Sequence, residues 1–187
     1  MSTLRRPSGV TLIELMVTVA VLAIIAATAA PSFQSFLDKN RLVGAAEAIY
    51  SQLQSARSEA VKQSADMVFV VSPDAPWCVG FSRRNTITGT PCDCTSAIDD
   101  EDACSVVADG TNSVLKVVEG SAFNGVTVDA GAPASMTFSG VRGTTTGAGS
   151  IPLQSALGRQ LQVEVNSIGH VRLCSPSAPV GGYPSCS

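Results

Sequence analysis

The sequence predicts an α+β fold, one long N-terminal helix packed on a globular domain of short antiparallel β-strands. Three observations predict it. Residues 10–30 form a predominantly apolar run with a single charged residue, Glu14. Residues 42–60 carry apolar side chains at alternating spacings of four and three. From residue 67 onward the period changes, and short β-rich segments alternate with Gly, Pro, Asn and Ser.

The apolar run comes first. At 1.5 Å per residue a helix over residues 10–30 spans about 31 Å, enough to cross a bilayer. Arg5 and Arg6 precede it, which places the N-terminus on the cytoplasmic side and the rest of the chain in the periplasm. A carboxylate inside such a run is costly, so Glu14 reads as functional, with a partner that spares it the burial penalty. An ordinary secretory signal is the competing reading, with Ala27-Thr28-Ala29 as a small-residue cleavage site. Glu14 and the length of the run favour a retained helix. Pro31 then removes one helical hydrogen bond, which costs about 3 kcal/mol or a kink. Beyond it Leu42, Ala46, Ile49, Leu53, Ala56 and Ala60 form one face of an amphipathic helix, with Arg41, Glu47, Arg57, Glu59 and Lys62 off that face. The helix thus has a transmembrane first half and an amphipathic second half.

Short strands follow over residues 67–72, 77–82, 105–108, 114–119, 126–129, 135–139, 161–166 and 170–174. The clearest is 161–166, where Leu161, Val163 and Val165 alternate with Gln162 and Glu164. Residues 84–102 and the Gly- and Thr-rich 142–150 read as irregular loops. The Pro- and Gly-rich tail after Cys174 reads as extended.

Composition bounds the chemistry. Removing residues 1–9 takes away Arg5 and Arg6, which leaves 10 basic and 15 acidic side chains of the 12 and 15 in the full chain. This mild acidity argues against general nucleic-acid binding. The six cysteines, Cys78, Cys92, Cys94, Cys104, Cys174 and Cys186, all lie beyond the apolar run. An even number in an exported domain suggests disulfides, and six cysteines allow 15 full pairings. The expectation is that Cys174–Cys186 closes the tail while the other four pair among themselves. Zinc is disfavoured, because Cys92-Asp93-Cys94 lacks the usual spacing. The run Asp99-Asp100-Glu101-Asp102 lacks the spaced ligand pattern of a calcium loop. His170 is the only histidine, and neither a nucleophile elbow nor a phosphate-binding loop is present, so no catalysis and no cofactor is expected.

Gly9-Val10-Thr11-Leu12-Ile13-Glu14-Leu15 resembles the class III signal of type IV pilins and type II secretion pseudopilins. The resemblance implies that prepilin peptidase cleaves between Gly9 and Val10 and methylates the new amine of Val10, where phenylalanine is usual. It also implies that Glu14 pairs with the free amine of a neighbouring subunit during assembly. Further on, Met136-Thr137-Phe138-Ser139-Gly140, a Gly-rich loop, residues 161–166 and Gly169-His170-Val171-Arg172 resemble the C-terminal half of the GspH/FimT branch. The resemblance covers both ends of the chain; residues 75–125 match loosely.

The organisation expected is therefore a leader over 1–9, a transmembrane assembly helix over 10–30, its amphipathic continuation over 31–65 and a periplasmic head over 66–187. The function implied is that of a minor pilin of a type IV pilus, stored in the inner membrane and assembled with the major pilin and other minor pilins. Pseudopilin H of a type II secretion system is the alternative, and the six cysteines tilt the balance toward a pilus. A DNA-binding minor pilin is a further alternative. Some members of the branch bind DNA through Gly-Arg-x-Arg; here Gly169 and Arg172 match, His170 replaces the first arginine, and Arg159, Arg142, Arg83 and Arg84 are candidate additional cations.

Overall fold

The computed structural model describes residues 9–84, 91–98, 100–107, 113–177 and 180–186. Residues 1–8 of the expected 1–9 leader, Asp99 and parts of the expected loop and tail therefore lie outside the described residues. The chain divides into two compact units, Met1–Leu37 and Asp38–Ser187. One helix, α1 (Leu12–Gln63), begins in the first unit and ends in the second, with Pro31 inside it.

In the first unit the apolar side chains of α1 face outward, among them Leu12, Ile13, Val21, Ile24 and Phe33. This part of α1 is long and apolar enough to cross a membrane. In the second unit the same helix becomes one-sided. Leu42, Ala45, Ala46, Ile49, Leu53, Ala56 and Ala60 are fully buried, which reproduces the expected stripe and adds Ala45. Truncating a fully buried leucine such as Leu53 to alanine costs about 2–5 kcal/mol.

Among the described residues eleven strands follow: β1 (Met67–Ser72), β2 (Cys78–Arg83), β3 (Ser105–Val107), β4 (Ser113–Leu115), β5 (Val117–Glu119), β6 (Val126–Val128), β7 (Ser135–Phe138), β8 (Thr145–Thr146), β9 (Gly149–Ser155), β10 (Gln160–Val165) and β11 (Val171–Cys174). They form a five-stranded sheet in the order β5-β2-β1-β7-β8, a four-stranded sheet β11-β10-β9-β6 and the small pair β3-β4. Every pairing between these strands is antiparallel. One core joins the helix stripe to Phe69, Phe81 and Phe138 of the first sheet and to Ile151, Leu153, Leu161 and Val163 of the second. Trp77 ties the sheets together: its indole N–H donates to the Val126 carbonyl at 2.8 Å, and its ring stacks on Phe123 with centroids 6.0 Å apart.

Strand β1 is buried on both faces. Met67, Phe69 and Val71 point into the main core, while Val68 and Val70 join Cys78, Cys94 and Cys104 in a second cluster. Two disulfides, Cys78–Cys94 and Cys92–Cys104, cover that outer face. Gly80 on β2 makes room for them, since a Cβ there would lie 2.7 Å from the Cys104 Cβ.

The structure departs from the sequence expectations in four places. Residues 142–150 are not one loop, because they contain β8 and the start of β9. Strand β9 runs on through Pro152, whose missing N–H argues against a strand; yet Ile151 and Leu153 alternate into the core and the full strand pairs with β10. The segment expected at 114–119 is two strands, broken at Lys116, whose carbonyl accepts from Phe81 N–H. His170 lies just outside β11. The tail is folded back, not extended: Cys174–Cys186 closes it, Val180 is buried, and the Tyr183 hydroxyl donates to the Glu47 carboxylate at 2.6 Å.

Candidate assembly site

Gly9 and Val10 lie just before α1, fully accessible, with open space around the Gly9 Cα. Thr11 caps the helix: its hydroxyl accepts the Glu14 backbone N–H at 3.3 Å, and its carbonyl accepts Leu15 N–H at 3.1 Å. Thr11-Leu12-Ile13-Glu14 therefore has the spacing of a capping box, with the acid at the third helical position. The sequence reading took Glu14 as an isolated charge and missed this; the signal was the three-residue step from Thr11. A carboxylate in the first turn is also favoured by the helix dipole. Among the described residues no cation pairs with Glu14, and the acid is exposed, four residues after Val10.

Of the candidate DNA-contacting residues, His170 and Arg172 share one cleft, whereas Arg159 is not among the residues that line it. Arg159 precedes β10, and its Nη1 lies 3.2 Å from the Asp38 carboxylate. Asp38 also accepts from the Ser155 hydroxyl at 2.7 Å and the Leu157 N–H at 3.2 Å, so it clasps the β9–β10 turn to the helix. Arg172 lies near the other end of β10, where it faces Glu164 across the β10–β11 pair, with Nε 2.6 Å from the carboxylate. His170 is exposed, with its backbone N–H bonded to the Asn166 side chain. His170, Arg172 and Glu164 line a shallow cleft of about 480 Å³. Both arginines are thus already matched by carboxylates, which lowers their value to a phosphate. Arg83, Arg84 and Arg142 lie elsewhere, near the end of α1.

The remaining polar clusters are structural. Asp93 is held below the usual carboxylate range by hydrogen bonds from the Thr95 N–H and hydroxyl. Asp100 accepts the Ala97 N–H in the same loop. Glu164 lies beside Cys174 and Cys186, but those sulfurs are tied up in a disulfide and offer no thiolate. Burial pushes the Tyr183 phenol up to about 12, with the Glu47 carboxylate reinforcing the shift.

Comparison with known proteins matches these features at both ends of the chain. The family described as Type II transport protein GspH matches residues 45–169. The Prokaryotic N-terminal methylation motif matches residues 4–30, which implies processing by prepilin peptidase and assembly with other pilins. Two proteins of Pseudomonas aeruginosa called fimbrial protein are each 30% identical over 88 residues, 46% of this chain and 56% of theirs. The chain thus spans about half the length of the curated relatives it matches. Among solved structures, the minor pseudopilin EpsH from the type 2 secretion system of Vibrio cholerae superposes with a TM-score of 0.51 at 16% identity, over 74% of this chain and 99% of that one. The type IV minor pilin FimU of Pseudomonas aeruginosa strain PAO1 gives a TM-score of 0.48 at 19% identity, over 79% of this chain and 98% of that one. The EpsH likeness supports the pilin-like fold.

Proposed function

The chain belongs to the Type II transport protein GspH family, a family of structural subunits and not of enzymes, and from that premise we propose that it is a minor pilin of a type IV pilus. Prepilin peptidase cleaves between Gly9 and Val10 and methylates Val10. Residues 10–30 then hold the subunit in the inner membrane, residues 31–65 continue the helix, and residues 66–187 form a periplasmic head. On assembly the apolar helix leaves the lipid and packs against helices of the major pilin and other minor pilins. The observation that carries this reading is the part of α1 in the first unit: exposed apolar side chains and one acid in the first turn, within the match to the N-terminal methylation motif.

Glu14 supplies selectivity. Its carboxylate meets the amine of a neighbouring subunit, which offsets the cost of burying either charge alone. The test compares Glu14→Ala with the parent chain in piliated cells. Export, cleavage and disulfide formation are expected to stay intact while incorporation into sheared pili is lost. Incorporation at the parent level would reject the assembly role.

The family match also favours a second reading, pseudopilin H of a type II secretion system, with the same helix and the same processing. Deletion of the chain separates the two. Loss of pili with normal protein secretion supports the pilus, and the reverse supports the secretion system. DNA uptake is the weaker alternative, because Arg159 and Arg172 face Asp38 and Glu164. Salt-sensitive DNA binding lost in Arg172→Gln would revive it.

A further inference from the structure

Helix α1 ends at Gln63, and the chain turns through Ser64, Ala65 and Asp66 into β1. Asp66 gathers two other segments. Gly140 N–H donates to its carboxylate at 3.0 Å, and Arg84 N–H donates to its carbonyl at 2.8 Å. A Cβ on Gly140 would collide with the backbone of Ala65. Gly143, at φ +63°, lies against Arg57 and Val61 of the last helical turns. Gly169, at φ +77°, packs directly on the Gly143 carbonyl, and Thr145 N–H donates to the Ser167 carbonyl at 2.9 Å. The helix end, the end of β2 and the turns around Val141 and Ile168 therefore form one end of the Asp38–Ser187 unit.

That end has an apolar centre and a basic rim. Val61, Val141 and Ile168 are 50%, 84% and 65% exposed. The two turns are held by close backbone contacts at Gly140, Gly143 and Gly169, with Val141 and Ile168 exposed beside them. Around them lie Arg57, Lys62, Arg83, Arg84 and Arg142, five of the ten Lys and Arg that follow Gly9. Among the described residues the carboxylates here are Glu59, paired with Lys62 at 3.4 Å, and Asp66, bonded to Gly140. In a chain that is acidic overall, this concentrates positive charge at one place.

We infer that this end of the head docks an acidic face of another pilin-type subunit, burying Val61, Val141 and Ile168 inside a ring of arginine–carboxylate contacts. The inference rests on the pilus reading above. An apolar centre with a charged rim is the anatomy of a protein interface, and the charge selects the partner and its orientation. Charge complementarity points to a pilin head, and the exposed Asp93, Asp100, Glu101 and Asp102 loop of this chain shows one acidic face of the kind required. A contact between the end of one head and a different face of the next is heterologous, the kind that propagates a filament. Nucleic acid would use the cations but leave three branched aliphatic side chains against phosphates.

The experiment places a photo-crosslinking residue at Val141, at Ile168 and, as a control, at Val21 of the full chain in piliated cells. Adducts with another protein bearing the prepilin motif are expected at all three positions. Arg84→Glu combined with Arg142→Glu should reduce those at Val141 and Ile168 by about tenfold, with lysine at both positions restoring them. Adducts at Val21 but none at Val141 or Ile168 overturn this inference alone. An absence at all three overturns the pilus reading and the inference with it. Adducts unaffected by charge reversal, or nuclease-sensitive adducts at Val141, overturn the acidic protein partner.

Discussion

The Glu14 side chain carries the proposed assembly contact, and its place three residues after Thr11 also suits a capping box. The carboxylate sits at the third helical position after Thr11, where Gln serves a capping box almost as well. Only the charged form answers an ammonium. Glu14→Gln therefore separates the roles: helix start and membrane level should match the parent, while incorporation into pili falls about as far as in Glu14→Ala. Parent-level incorporation in the glutamine variant would reduce Glu14 to a cap. Tyr183 gives a second residue-scale prediction. Its phenol is pushed from 10 up to about 12 in the folded chain, so the folded state favours the protonated form. Its contribution is complete below pH 10 and is lost as pH rises toward 12. Denaturation midpoints at pH 9 and pH 11.5 should differ more for the parent chain than for Tyr183→Phe.

At the scale of elements, the helix and the alternating strand were plain in the sequence, because each has a single period set by a single buried face. The stripe from Leu42 to Ala60 and the alternation of Leu161, Val163 and Val165 both reappear in the core. Strand β9 was hidden because Gly149, Ser150 and Pro152 carry turn composition, and only pairing with β10 shows that Ile151 and Leu153 are core. Cysteine count announced disulfides, but not that two of them roof β1. Nor did Glu14 and Arg172 reveal their surroundings: spacing held the cap, whereas the Glu164 partner is a matter of register. The roof depends on Gly80. Gly80→Ala places a Cβ 2.7 Å from the Cys104 Cβ and 2.9 Å from its sulfur. The expected cost is about 1–3 kcal/mol in urea unfolding. Thiol titration should show incomplete closure of Cys92–Cys104, while Cys174–Cys186, in the tail, stays formed.

Across the whole molecule, the buried core and the membrane-length apolar run reside in different units. The Asp38–Ser187 unit holds the buried core and all three disulfides; in the Met1–Leu37 unit the described apolar side chains from Leu12 to Phe36 are exposed. The division falls at Asp38, whose carboxylate holds Ser155, Leu157 and Arg159. Asp38→Ala leaves the buried Ser155 hydroxyl without this acceptor and loses the contacts to the exposed Leu157 N–H and half-buried Arg159, and should lower head stability by about 1–3 kcal/mol, with membrane retention unchanged. Val21→Asp should do the reverse. A charge in the middle of the apolar run costs about 2.5–3.5 kcal/mol in a membrane, so retention falls while the head keeps its disulfides and its unfolding midpoint. The two sites share no partner, so the double variant should combine both defects within about 0.5 kcal/mol of additivity in head stability. A head destabilised by Val21→Asp, or membrane retention lost in Asp38→Ala, would show that the two units are energetically one.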